Sequence, residues 1–164
     1  SSMNLWIIRH AKSSWAEPSQ RDFDRPLNER GNADGPRMAA WLANQSRPAQ
    51  WIWTSSAVRA QATANFVADG FRAASPQIVR DNRLYHAGVH ELVDVLRETP
   101  LEAQSVALVA HNPGLTYLVN HLADHQELDN LPTFGIAQFE VQVPWHELAP
   151  HNAALLQVAS PNRL

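Results

Sequence analysis

The chain has 164 residues, of which 45% are hydrophobic, a net charge of −3 and no cysteine. The absence of cysteine excludes disulfides, thiolate zinc sites and a cysteine nucleophile. The interspersed charges argue against a nucleic-acid-binding face, and no apolar run approaches the ~20 residues of a membrane span. We therefore expect a soluble, cytoplasmic protein with a single domain over residues 3–164, preceded by two serines that look like an expression-tag remnant.

Strand-like apolar runs alternate with stretches of helical spacing along most of the chain. In order, these are strand 4–9, helix 28–44, strand 51–55, helix 57–69, strand 77–81, helix 89–98, strand 105–110 and helix 113–123, followed by two β-like runs at 136–143 and 154–159. The alternation predicts a three-layer α/β/α sandwich, with a mostly parallel central sheet and helices on both faces. We expect the fourth strand to be central and the last two runs to lie at an edge.

Polar residues stand at the ends of three predicted strands. Arg9 and His10 end the first strand, Arg59 lies in the first turn after the second, and His111 follows the fourth. Ligands in open α/β sheets collect beyond the carboxyl ends of the strands. These two arginines and two histidines are therefore expected to converge on one crevice.

This set of side chains suits an anionic phosphoryl group. Guanidinium groups offer forked donors that match phosphate oxygens, and the start of the helix that carries Arg59 favours an anion. Nearby positive charge favours neutral imidazole at His10 and His111. A neutral His10 can accept a phosphoryl group and pass it to water. Because arginines supply the positive charge, we expect neither a metal nor any other cofactor.

Four segments resemble, in order, motifs of the histidine phosphatase (phosphoglycerate mutase-like) superfamily. They are RHAKS at 9–13, DRPLNERG at 24–31, SSAVRAQAT at 55–63 and AHNPG at 110–114. The resemblance is closest to the short SixA-type branch, the protein phosphohistidine phosphatases. It covers most of the chain and implies a hydrolase with a phosphoglycerate mutase-like fold.

The resemblance also implies roles for individual residues. His10 would be the nucleophile, and Arg9 and Arg59 would bind the phosphoryl group beside it. His111 would donate hydrogen bonds to phosphoryl oxygens and stabilise the transition state. Arg25, in the DRPLNERG segment, would be a further phosphate ligand.

The leaving group has no obvious carboxylic acid to protonate it. The segment RLYHAG at 83–88 offers His86 instead, as a proton donor or as a residue of the rim. The P–N bond of phosphohistidine is labile and depends less on a strong acid than an alkyl ester does. The short segment between Arg59 and the third strand leaves little room for insertions that would wall in the pocket. The predicted substrate is therefore phosphohistidine on a partner protein.

Two other functions stay open. The chain could be a phosphatase of small phosphate esters or nucleotides, or a phosphate-binding module without catalysis. A mutase is less favoured, since it needs a closed pocket to keep its intermediate from water. We expect no nucleic-acid or membrane partner, and a monomer or weak dimer.

Several polar and aromatic residues receive simpler interpretations. The pairs His86/His90 and His121/His125 have i,i+4 spacing but lack a third ligand, so no metal site is predicted. Most tryptophans are expected in the core, and Trp15, directly after the first motif, is a candidate for the pocket rim. The acidic residues of the following loop, Glu17, Asp22 and Asp24, are predicted to be solvated.

Overall fold

The predicted alternation of strands and helices is confirmed by the computed structural model, which describes all 164 residues. The strands are β1 (Met3–Arg9), β2 (Trp51–Thr54), β3 (Gln77–Arg80), β4 (Ser105–Ala110), β5 (Ile136–Val141) and β6 (Ala153–Ala159). The α-helices are α1 (Glu29–Ala43), α2 (Val58–Gly70), α3 (Val89–Arg97) and α4 (Gly114–Ala123). None of these helices combines the length and the apolar composition that crossing a membrane would require.

The six strands form one sheet in the order β3-β2-β4-β1-β5-β6. The first four strands of this order run parallel. Strand β5 pairs antiparallel with β1, β6 pairs antiparallel with β5, and these two strands form one edge, as predicted for the tail. Every residue of β4 is buried, which confirms its predicted central position. The register pairs Arg9 with Ala110 and Thr54 with Val109, so the carboxyl ends of β1, β2 and β4 lie level.

The sheet separates two apolar cores, because side chains alternate between its faces. Along β1, Leu5 and Ile7 join the core covered by α3 and α4, whereas Trp6 and Ile8 join the core covered by α1 and α2. This arrangement is the predicted three-layer α/β/α sandwich. Of the tryptophans predicted for the core, Trp6 and Trp53 are buried, and Trp41 and Trp51 are half-buried.

Helix α1 begins against the segment that follows β1. The Asn28 side chain caps the helix by accepting a hydrogen bond from the Gly31 N–H at 2.9 Å. A Cβ at Gly31 would lie 2.2 Å from the Lys12 carbonyl oxygen, so only glycine permits this close approach. The Asn28 N–H also donates to that oxygen at 3.0 Å. The segments around residues 9–13 and 24–31 are thereby tied together.

Candidate active site

The carboxyl ends of the parallel strands open onto one surface cavity of about 710 Å³. All six residues that the sequence analysis predicted for the site line this cavity: Arg9, His10, Arg25, Arg59, His86 and His111. Its remaining lining is predominantly polar. The imidazole rings of His10 and His111 lie side by side in it, with centroids 5.2 Å apart and planes inclined by 54°.

The His10 ring is oriented by the backbone of the next residue. Its Nδ1 lies 2.7 Å from the Ala11 carbonyl oxygen, which can only accept, so Nδ1 carries the proton. The Nε2 atom of the neutral ring therefore keeps its lone pair. Burial lowers the pKa of His10 to about 4, and the charges of Arg59 and Arg9 act in the same direction, against the Ala11 hydrogen bond. His10 is consequently a neutral nucleophile near pH 7.

The His111 ring is oriented by Ser55, at the end of β2. His111 Nε2 lies 2.7 Å from Ser55 Oγ, which also accepts the Ala57 N–H at 3.2 Å. The serine hydroxyl can donate its hydrogen to Nε2, and in that tautomer the neutral imidazole carries its proton on Nδ1. Burial is the main cause that lowers the pKa of His111 to about 3, and His10 and Arg59 contribute. His111 therefore offers a neutral N–H donor.

Three buried donors of the site have no partner in the protein. They are the Nε atoms of Arg9 and Arg59 and the Nδ1 of His111, and the half-buried Trp51 supplies the only other buried side-chain atom without a partner. A buried donor left unpaired costs about 1–3 kcal/mol, so a buried donor without a partner in the protein is expected to bind water or a ligand. All three belong to residues that line the cavity, which suits a site for an anion with several oxygen acceptors.

Asp22 is the counterion of this site, and the prediction of a solvated Asp22 is wrong. Its Oδ1 accepts a hydrogen bond from Arg25 Nε at 3.1 Å, and its Oδ2 accepts from Arg59 Nη2 at 3.0 Å and from the Tyr85 hydroxyl at 2.6 Å. Burial alone would raise the pKa of Asp22, but these hydrogen bonds outweigh it and hold that pKa well below its usual range. Asp22 is therefore an ionised carboxylate that holds two arginines. The acidic residue next along this turn, Asp24, pairs instead with the exposed Arg21 at 2.8 Å.

The mouth of the cavity is flanked by aromatic rings. The side chain of His86 is 69% exposed, stacks on Tyr85 with centroids 3.9 Å apart and places Nε2 4.0 Å from Asp22 Oδ2. Trp15 also lines the cavity, and the Arg25 guanidinium carbon lies 3.5 Å from its ring centroid. The lining does not include His90, the i,i+4 partner of His86.

Sequence reasoning missed the roles of three residues in this site. The position of Asp22, three residues before Arg25, could have predicted their ion pair, because this spacing suits a local salt bridge. Ser55 stands directly after a strand that points into the predicted crevice, although nothing in the sequence connects it to His111. Tyr85 gave no signal, since its partner lies 63 residues away in the chain.

Comparison with known proteins identifies the family. The family model of the histidine phosphatase superfamily (branch 1) matches residues 5–91, more than half of the chain. An uncharacterised chloroplastic protein of Arabidopsis thaliana is 37% identical over 81 residues, which make up 48% of this chain. The match spans only 37% of that protein, so the chain corresponds to little more than a third of it.

Three solved structures share the fold over nearly the whole chain. The provisionally assigned phosphohistidine phosphatases SixA of Nakamurella and of Agrobacterium tumefaciens give TM-scores of 0.85 and 0.83, at 23% and 27% identity. Both alignments cover 98% of this chain, and 97% and 99% of the respective relatives. The protein histidine phosphatase SixA complexed with tungstate gives 0.79 at 24% identity, with 98% of each chain covered. The chain therefore belongs to branch 1 of the histidine phosphatase superfamily, with the structure of its SixA-type members.

Proposed function

We propose that this protein is a metal-independent phosphatase whose substrate is phosphohistidine on a partner protein. The observation that carries the proposal is the set of unpaired buried donors in the cavity of the neutral His10. The Nε atoms of Arg9 and Arg59 and the Nδ1 of His111 match the oxygens of one phosphoryl group in number and chemistry. The positive charge that this group needs comes from the arginines themselves.

The reaction proceeds in two steps through a covalent intermediate at His10. In the first step, His10 Nε2 attacks phosphorus; a new P–N bond forms as the bond to the leaving atom breaks. In the second step, water attacks the phosphorus, His10 leaves with its electron pair, and inorganic phosphate is released. Arg9, Arg59 and His111 stabilise the charge on the phosphoryl oxygens in both steps, and Arg25 is a fourth ligand. Donors of this kind each contribute about 10²–10³ in rate.

The proton donors available in the site favour a phosphoramidate over an alkyl ester. Asp22 is held as the ionised form by its three hydrogen-bond donors, so it has no proton to give. This leaves His86, near Asp22 at the mouth, to protonate the leaving group or to contact the substrate there. An imidazole leaving group is a far weaker base than an alkoxide and needs less help from an acid.

The exposure of the site supports a protein substrate. The mouth residues Trp15 and His86 are largely exposed. Helix α2 ends at Gly70 and β3 begins at Gln77, so the connection between them is too short to contain an insertion that would wall in the pocket. A phosphorylated side chain that projects from another protein can therefore enter. The resemblance to a solved structure described as a protein histidine phosphatase agrees with this choice. We take residues 3–164 as the phosphatase domain, which acts in the cytoplasm as a monomer or weak dimer.

The test is to trap the intermediate and to compare substrates. The protein is mixed with a phosphotransfer protein labelled with ³²P on histidine and quenched within milliseconds. We expect acid-labile, alkali-stable label on the wild type and on His90→Ala, a histidine outside the cavity, and none on His10→Ala. Turnover of the labelled protein is expected to fall at least about 10⁴-fold in His10→Ala.

Two results would overturn parts of this proposal. If phosphate binds but no label ever appears on His10, the chain is a phosphate-binding module without catalysis. If a panel of small phosphate esters and nucleotides is turned over with clearly higher kcat/KM than the labelled protein, the substrate is a metabolite. In that case the two-step mechanism through His10 is retained, and the proposal that the substrate is a partner protein is rejected.

A further inference from the structure

Trp15 occupies an unusual position for an aromatic side chain. It is 75% exposed, more than any other large hydrophobic side chain of the protein, and it lines the cavity that holds His10. Its indole N–H donates no hydrogen bond to the protein. An aromatic ring left in water at the mouth of a binding cavity forgoes the burial that normally stabilises it. Neither packing nor hydrogen bonding within the chain explains this exposure.

The ring is nevertheless held in place. The Arg25 guanidinium lies over it at 3.5 Å, and Arg25 is itself buried and bonded to Asp22 and to Ser13 Oγ at 2.7 Å. The backbone before Trp15 is fixed as well, since the Ser14 N–H donates to the Pro26 carbonyl oxygen at 2.8 Å. One face of the indole is therefore covered by a cation, and the exposed remainder is presented to solvent as a rigid flat surface.

We infer that the part of the Trp15 ring left uncovered by Arg25 is a stacking site for a flat aromatic leaving group. Arg25 Nε and Nη1 are occupied by the protein, whereas Nη2 makes no hydrogen bond within it and is free for a phosphoryl oxygen. A phosphoryl group bound there lies next to the indole, and so does the group attached to it. A planar ring gains stacking energy on that surface, and a saturated group of equal size does not.

This inference rests on the proposed function, in which the cavity binds a phosphoryl group. It narrows the substrate class to phosphorylated aromatic rings, namely the imidazole of phosphohistidine or a phenol. Because Trp15 acts on the leaving group and not on the phosphoryl oxygens, its contribution is separable from that of the arginines.

The experiment compares non-hydrolysable phosphonates by isothermal titration calorimetry, so it requires no turnover. The ligands are phenylphosphonate, pyrazolylphosphonate, cyclohexylphosphonate and inorganic phosphate. The wild type should bind both flat rings about 3- to 10-fold more tightly than the saturated ring. Trp15→Leu should lose this preference with less than a twofold change for inorganic phosphate, and Trp15→Phe should keep most of it. If pyrazolylphosphonate binds more tightly, the natural leaving group is an azole; if phenylphosphonate binds more tightly, it is a phenol.

Three results would overturn the inference. The wild type could bind the flat and saturated phosphonates equally, which would show that no ring stacks on Trp15. Trp15→Leu could weaken all four ligands equally, which would reduce Trp15 to a support for Arg25. If inorganic phosphate itself fails to bind, the proposed function falls, and the inference falls with it.

Discussion

The floor and the mouth of the active-site cavity are built in different ways. The floor consists of Arg9, His10, Arg59 and His111, which stand on strand ends and on the first turn of α2. The mouth consists of loop residues from two segments, 13–25 and 82–88. His10, Arg59 and His111 are buried in the floor, whereas in the mouth Arg25 is 6% exposed and Trp15 is 75% exposed.

The two regions also differ in how their charges are paired. The floor presents unpaired donors on Arg9, Arg59 and His111, whereas the mouth contains the only acidic residue that lines the cavity, Asp22. Arg59 belongs to both, because its two terminal nitrogens are bonded to Asp22 and its Nε is not bonded at all. The floor therefore contains the nucleophile and the donors for the phosphoryl group, and the carboxylate of the mouth reduces the positive charge around a bound substrate.

Substitution of Arg59 is expected to have the largest effect on the chemistry of the floor. In Arg59→Lys the charge remains, but one ammonium nitrogen cannot replace the three separate nitrogens with which the guanidinium binds Asp22 and a phosphoryl oxygen. We expect kcat/KM to fall about 10²- to 10³-fold, the loss typical of one oxyanion donor. Arg80→Lys, an exposed arginine outside the cavity, is the matched control and should retain wild-type activity. Wild-type activity in Arg59→Lys would show that only the net charge of the floor matters.

The buried imidazoles of the floor predict that stability depends on pH between about 4 and 6.5, whereas the lowered pKa of Asp22 in the mouth affects stability mainly at lower pH. The pKa of His10 is lowered from an ordinary 6.5 to about 4 by burial, so between these values the unfolded chain binds a proton that the folded chain does not. The free energy of unfolding is therefore unaffected well above pH 6.5 and decreases as the pH falls toward 4. At pH 5 the loss through His10 is about 2 kcal/mol.

Urea unfolding at pH 7 and pH 5 measures this loss. In His10→Asn the titrating group is absent, so the decrease between the two pH values should be smaller than in the wild type by about 2 kcal/mol. An equal decrease in both proteins would mean that His10 is not protonated on unfolding and that its depressed pKa has no consequence for folding.

The floor could be predicted from the sequence, and most of the mouth could not. Alternating strands and helices place the carboxyl ends of parallel strands at one edge, which brings His10 and His111 together although 101 positions separate them. The same rule says nothing about how the loop 16–26 folds. Asp22 therefore looked like a solvated acid, because its partners Arg59 and Tyr85 reach it only through tertiary contacts. Arg25 and His86 were found through the family resemblance and their place in its segments, not through a spacing rule.

Substitution of Asp22 should change activity least, but it separates the effect of the mouth on phosphate binding from its effect on kcat. Asp22→Asn removes the negative charge from the mouth but keeps an oxygen that can accept from the arginines or Tyr85. Inorganic phosphate should then inhibit about threefold more strongly, since an opposing charge has gone, while kcat falls severalfold because the arginines are less firmly placed. Asp24→Asn is the matched control, since Asp24 lies on the same turn but pairs with Arg21 outside the cavity. If phosphate binding and kcat both weaken in Asp22→Asn, the carboxylate only holds the loop in place, and the charge of the mouth has no part in selecting the substrate.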